Sequence, residues 1–155
     1  MRRAPALSRA LLIALAALPP AAPAGAQTRA VTCDELAWSA AMLAANPDIG
    51  RLCQGVYVKG ERYYAKAFIR VLRVSGPRIV FRPLRTDGTL GERRAVTVPA
   101  DWRVRSDGRT LLARDLRRGQ ELTVFIPEDR FAIAVQDADG PQATDLLPVE
   151  GSGGG

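Results

Sequence analysis

The chain has 155 residues, 47% of them hydrophobic, and its 22 Lys and Arg outnumber 16 Asp and Glu while His is absent. This length suits one domain with a core of its own and is short for two. Without His there is no Ser-His or Cys-His nucleophile pair, and no imidazole to complete a soft-metal site.

Arg2 and Arg3 precede the nine-residue apolar run Ala10 to Leu18, Pro19-Pro20 closes it, and Ala24-Gly25-Ala26 offers small residues. This is the layout of a secretory signal peptide over residues 1–26, cut before Gln27. The apolar run is too short to span a bilayer, which takes roughly 20 residues. No Cys follows it and the Arg pair lacks a twin-arginine context, so the expectation is Sec export to the periplasm or beyond. Arg2, Arg3 and Arg9 leave with this segment, which lowers the net charge from +6 to +3. No transmembrane span is expected in the mature chain. Cys33 and Cys53 are the two cysteines. In an oxidising compartment they are expected to form a disulfide, contributing about 3 kcal/mol by loop closure. The pair lacks the CxxC spacing of a redox or metal site, and no cofactor or metal is expected.

Thr32-Cys33-Asp34-Glu35 matches a capping box, with acidic residues at the positive end of a helix dipole. The spacing predicts a helix from there to about Ala45, with Leu36, Ala40, Leu43 and Ala44 on one face and Trp38 and Met42 beside it. Asn46-Pro47 ends that helix and starts a further turn, Asn46 as cap, with Ile49 and Leu52 inward. From Gly55 the pattern becomes period two. Val56 to Val58, a Lys59-Gly60 turn and Arg62 to Val74 form a hairpin. Its long arm has Tyr63, Ala65, Ala67, Ile69 and Val71 on one face and Tyr64, Lys66, Phe68, Arg70 and Leu72 on the other. A long strand with two semi-apolar faces bends between sheets, as in small barrels.

Arg78 to Leu84, Arg93 to Val98, and Trp102 with Val104 continue the series, separated by turn residues including Ser106-Asp107-Gly108. Leu116 to Val135 then gives the clearest hairpin. Leu122, Val124 and Ile126 share a face, Pro127-Glu128-Asp129 turns, and Phe131, Ile133 and Val135 resume it. About seven short strands result. The expected fold is mainly β with an N-terminal helix: a small antiparallel β-barrel over residues 27–136, flanked by a disulfide-tied helix. The polar, proline-bearing stretch 137–155 reads as a flexible tail.

Asp107-Gly108-Arg109 followed by Asp115-Leu116-Arg117-Arg118-Gly119-Gln120, in the arrangement DG…DLxxGxxLxV, resembles a turn-and-strand element of small β-barrel domains in bacterial exported proteins of unknown function. The likeness covers about 20 residues and implies the fold alone; it transfers no catalytic residue.

Two surfaces are candidates for function. Tyr57, Tyr64, Phe68 and Phe125 are aromatics that one core does not obviously claim, and exposed aromatics on a rigid scaffold make protein-binding anchors. Arg93, Arg94, Arg117 and Arg118, with Arg82, Arg85, Arg103 and Arg105 nearby, would grip a polyanion. The carboxylate pairs Glu128-Asp129 and Asp137-Asp139 fall in turn and tail and read as solvated residues, and no glycine-rich phosphate loop opens a helix. The sequence therefore reads as a non-enzymatic binding or structural protein of the envelope, with an unknown envelope protein as partner. The alternative is an anionic envelope polymer; nucleic acid is not expected.

Overall fold

The computed structural model describes residues 31–137, 140–141 and 146–150. The signal segment expected over 1–26 lies outside them.

The N-terminal part is less helical than its sequence pattern predicts. Glu35 does reach back, accepting from the Thr32 N–H at 2.8 Å and the Thr32 hydroxyl at 3.0 Å. The result is only a 3-10 turn, Cys33–Glu35, after which Leu36 is extended. The α-helix α1 spans Ala40–Ala45, with Ser39 as its cap accepting from the Met42 N–H. Ser39 also donates its N–H to Glu128 O (3.1 Å) and its hydroxyl to Asp129 O (3.2 Å). Bonds to a distant turn thus replace the helical bonds expected through Ser39, and a short helix has little propagation energy to resist this. The buried face changes with it: Met42 is 1% exposed, whereas Leu43 is 45% exposed. Asn46 caps the C-terminus of α1 rather than the N-terminus of the next turn. Asp48 precedes the second 3-10 turn, Ile49–Leu52, whose Ile49 and Leu52 are buried as expected. The disulfide Cys33–Cys53, with Cα atoms 5.8 Å apart, ties the first turn to the end of this one.

The rest is antiparallel sheet. In chain order the strands are β1 (Gly55–Lys59), β2 (Arg62–Ser75), β3 (Arg78–Leu84), β4 (Arg94–Thr97), β5 (Arg103–Ser106), β6 (Arg109–Leu112), β7 (Glu121–Pro127), β8 (Ala132–Asp137), β9 (Gly140–Pro141) and β10 (Leu147–Glu150). A third 3-10 turn, Ala113–Asp115, follows β6. β2 organises them. It pairs with β1 from Arg62 to Lys66, with β3 from Phe68 to Ser75, and with β7 from Tyr64 to Arg70. Pairing continues from β3 to β4, β10, β8 and β7, and so returns to β2. β5 and β6 form a separate hairpin.

Ala65, Ala67, Ile69 and Val71 of β2, with Leu122, Val124 and Ile126 of β7, are buried in one core with Ile79, Phe81, Val96 and Ile133. The inward face of both strands is the one their alternation predicts. The opposite face of β7 is covered too. Phe125 packs with Tyr64 and Ala134 in a second, smaller cluster that Tyr57 and Leu146 border.

Residues 147–150 correct the reading of the last stretch as tail. β10 lies between β4 and β8, with Val149 opposite Val96 and Leu147 opposite Ile133. Leu147 and Val149 pack on the core, and Glu150 pairs with Arg78 at 2.6 Å. Four residues with a proline, set among Gly and Asp, carry too little pattern to announce a strand.

Candidate anion-binding surface

An arginine in a folded chain is always charged, so the question at each is what answers the charge. For Arg51, Arg82 and Arg85, around the β3–β4 loop, the answer is internal. Arg85 donates to Asp48 Oδ2 from Nε (3.0 Å) and Nη2 (2.7 Å), and to the Leu90 carbonyl (3.0 Å). Arg82 donates to the carbonyls of Gly91 (2.6 Å) and Leu90 (3.1 Å). Arg51 pairs with Asp87, whose carboxylate also accepts from the Thr89 hydroxyl (2.6 Å) and N–H (2.9 Å). The Thr89 donors, more than Arg51, hold the Asp87 pKa down at about 2. Elsewhere Arg70 meets Glu121 and Arg130 meets Asp129, with the Arg130 bond the main cause of a lowered Asp129 pKa. Asp129 lies in the turn between β7 and β8.

A second set of arginines has no such answer. Among the described residues, Arg73, Arg103, Arg105, Arg109, Arg114, Arg117 and Arg118 have no carboxylate partner, and the same holds for Arg93. All eight are exposed. Apart from Arg93, they come from one continuous stretch, 103–118, plus Arg73. The acids of this stretch and the nearby Asp101 do not neutralise them: Asp115 accepts from the Leu112 N–H (3.0 Å), and neither Asp101 nor Asp107 makes an ion pair among the described residues.

Three backbone devices build this surface. Asp107 (φ 52°) and Gly108 (φ 74°) form the two-residue turn of the β5–β6 hairpin, the positive-φ pair of a type I′ turn. Val104 is buried, so Arg103 and Arg105 on either side of it face outward. Arg117 to Gln120 is a β-turn closed by Gln120 N–H donating to Arg117 O (3.1 Å), with Gly119 at φ 85° and Arg118 at its corner. The third device is a register shift in β2 between Val71 and Arg73. By parity Arg73 would follow Ala67, Ile69 and Val71 into the core; the extra residue reverses the alternation, so Arg73 is exposed and Val74 packs inward. The pieces are tied together, because Gly119 N–H donates to Val71 O (2.8 Å), Val71 N–H to Gln120 O (2.9 Å), and Gln120 Nε2 to Ser106 Oγ (3.3 Å). Between them lies an open groove of about 540 Å³ lined by Leu72, Arg73, Val74, Gly76, Arg114, Leu116 and Arg118.

The candidates read from sequence divide accordingly. Of the anion-binding set, Arg117 and Arg118 belong to this surface and Arg93 is exposed apart from it. Arg94 does not qualify. Its side chain is 11% exposed, stacked 5.0 Å over the Phe131 ring, with Glu92 at 3.7 Å. Of the aromatic set, Tyr64 (1% exposed) and Phe125 (2% exposed) are core residues and cannot anchor a partner. Tyr57 is half-buried, edge-on to Phe125 at 5.5 Å, and half-buried Phe68 lies under the Lys66 ammonium at 5.5 Å. Arg73 and Arg114 escaped sequence reasoning. The available signal was a charged residue where the alternation of β2 calls for an apolar one.

The cavity where the second 3-10 turn meets β2 and β7, lined by Asn46, Leu52, Ile69, Phe81 and Val124 among others, measures about 20 Å³, room for one water. Among the described residues no group of three or more His, Cys, Asp or Glu could hold a metal, and no helix is long and apolar enough to cross a membrane. Asp139 lies outside the described residues. Comparison with protein-family models, curated proteins and solved structures gave no match.

Proposed function

We propose that this chain is an exported, non-enzymatic binding protein that holds an anionic polymer of the cell envelope on the surface formed by Arg73 and residues 103–118. One observation carries the reading: among the described residues seven neighbouring arginines lack a carboxylate partner, while Arg51, Arg82, Arg85 and Arg94 around the β3–β4 loop are answered internally. Leaving such charges unanswered brings the fold little, whereas a polyanion gains from them by counterion release. The disulfide accords with export to an oxidising compartment. We read the ladder path from β2 back to β2 as a small closed barrel, with the β5–β6 hairpin attached to its side. The protein-interaction reading loses two of its four aromatic anchors to the core, and so ranks second.

The test is salt dependence. For a soluble polyphosphate, log K should fall with log salt with a slope of about −3 to −4 if four arginines make contacts. Changing Arg103, Arg105, Arg117 and Arg118 to Gln should flatten it. Affinity that ignores salt but disappears with Tyr57→Ala or Phe68→Ala would restore the protein-interaction reading.

A further inference from the structure

The groove between β2 and the Ala113–Asp115 turn has walls of two chemistries. Arg73, Arg114 and Arg118 bring three guanidinium groups to it, and Leu72, Val74 and Leu116 supply aliphatic surface beside them. Among the described residues no acidic, amide or aromatic side chain lines it. Guanidinium groups donate only, so they select a group whose oxygens only accept, with the fork geometry of a phosphate or carboxylate. Sugar hydroxyls would need acceptors as well, and a nucleobase would need a ring to stack on. Neither is offered.

The aliphatic side decides what the anion is attached to. A fully hydrophilic polyphosphate would leave Leu72 facing water, whereas an anion joined to hydrocarbon covers it and removes that apolar area from solvent. The groove's volume, about 540 Å³, falls in the range of small-molecule sites, and its open side lets a headgroup enter while the remainder stays outside. The bulge that turns Arg73 outward also delivers Leu72 to the same groove.

Resting on the anion-binding reading above, we propose that this groove takes the phosphate of an anionic lipid, with the three guanidinium groups on the phosphate and the root of the acyl chains against Leu72. The protein would then dock on the anionic face of a membrane through Arg73, Arg114 and Arg118, while the arginines of the β5–β6 hairpin add general attraction.

The experiment is co-sedimentation of the purified, processed protein with phosphatidylcholine vesicles with and without phosphatidylglycerol, beside a titration with soluble polyphosphate. Two triple variants that lose the same charge are compared, R73Q/R114Q/R118Q in the groove and R93Q/R103Q/R105Q outside it. An arginine near an anionic surface contributes roughly fivefold in partitioning, so the groove triple should lower binding to phosphatidylglycerol vesicles about 100-fold. The outer triple should lower it less than about tenfold. L72N should weaken vesicle binding and leave polyphosphate binding unchanged. Equal losses in the two triples would overturn the groove while the polyanion reading stands. So would retained polyphosphate binding without preference for phosphatidylglycerol, or displacement from vesicles by millimolar inorganic phosphate, which would make free phosphate the occupant. Loss of both vesicle and polyphosphate binding in the wild type would defeat both readings. Should the groove triple fail to fold, R114Q/R118Q against R103Q/R105Q makes the same comparison without touching the β2 bulge.

Discussion

The β3–β4 loop and the stretch 103–118 are both rich in arginine, yet the charges do different things. In the loop, Arg82 and Arg85 spend their donors on the Leu90 and Gly91 carbonyls and on Asp48, and Arg51 meets Asp87. These bonds fix a loop that lacks a core of its own to the second 3-10 turn, helped by Thr86 N–H donating to Arg51 O (2.8 Å). In 103–118 six arginines stand with two aspartates, and none forms an ion pair among the described residues. The backbone there is held by turns, a hairpin and apolar contacts at Val104 and Leu116. Arginine content therefore says little about binding. What matters is whether the fold brings an acceptor to each guanidinium, as it does for Arg51, Arg82 and Arg85 at the loop and does not for the arginines of 103–118.

This contrast can be broken in graded ways. The largest effect concerns the claim that charge, not exposed aromatics, distinguishes the surface. Phe125→Ala should destabilise the fold by roughly 3–5 kcal/mol in urea unfolding, because the ring is buried between sheet and cluster. A loss under about 0.5 kcal/mol would return Phe125 to the surface and revive it as an anchor. Next, Arg85→Gln should cost about 2 kcal/mol, since it removes charge-assisted bonds to Asp48 from a mostly buried guanidinium and one of the two arginine bonds to the Leu90 carbonyl. Arg105→Gln should stay within about 0.5 kcal/mol of wild type. Similar losses at both would show that the second region is also structural.

A smaller effect follows from Asp87. Its folded pKa, about 2, lies below the ordinary value of 3.8, so its ionised form favours the folded state. That contribution is present above pH 4 or so and is lost as pH falls toward about 2. Urea midpoints measured down this range should therefore drop less in Asp87→Asn than in the wild type. An unchanged pH profile would mean that the Thr89 bonds do not persist in solution. Arginine does not titrate anywhere in that window, so no corresponding change is expected from the groove.

Much of this architecture was legible in the sequence, because burial on one face imposes strict alternation. β2, β3 and β7 show it, and the type I′ turn is written in Asp107-Gly108. The two cysteines form the disulfide that export chemistry led one to expect. What escaped depends on distant partners. The helix expected through Ser39 gives way to bonds with Glu128 and Asp129, some 90 residues away. β10 is a strand because β4 and β8 leave a place between them, not because Leu147 to Glu150 has strong propensity. The burial of Tyr64 and Phe125 likewise needs Ala134 and Leu146 to cover a face that alternation alone leaves open. For the site, Arg117 and Arg118 could be found as a basic pair. Arg73 joins them only through the bulge, and Arg94 leaves the set only because Phe131 lies under it.

The most direct test removes equal charge from each kind of arginine. R103Q/R105Q/R117Q/R118Q and R51Q/R70Q/R78Q/R130Q both lower the net charge by four, the first from unpaired positions and the second from ion pairs. Polyphosphate affinity, measured at one low salt concentration, should fall at least about 100-fold in the first variant and less than about fivefold in the second. Equal losses would show that binding follows net charge wherever it sits, and would contradict a built anion surface.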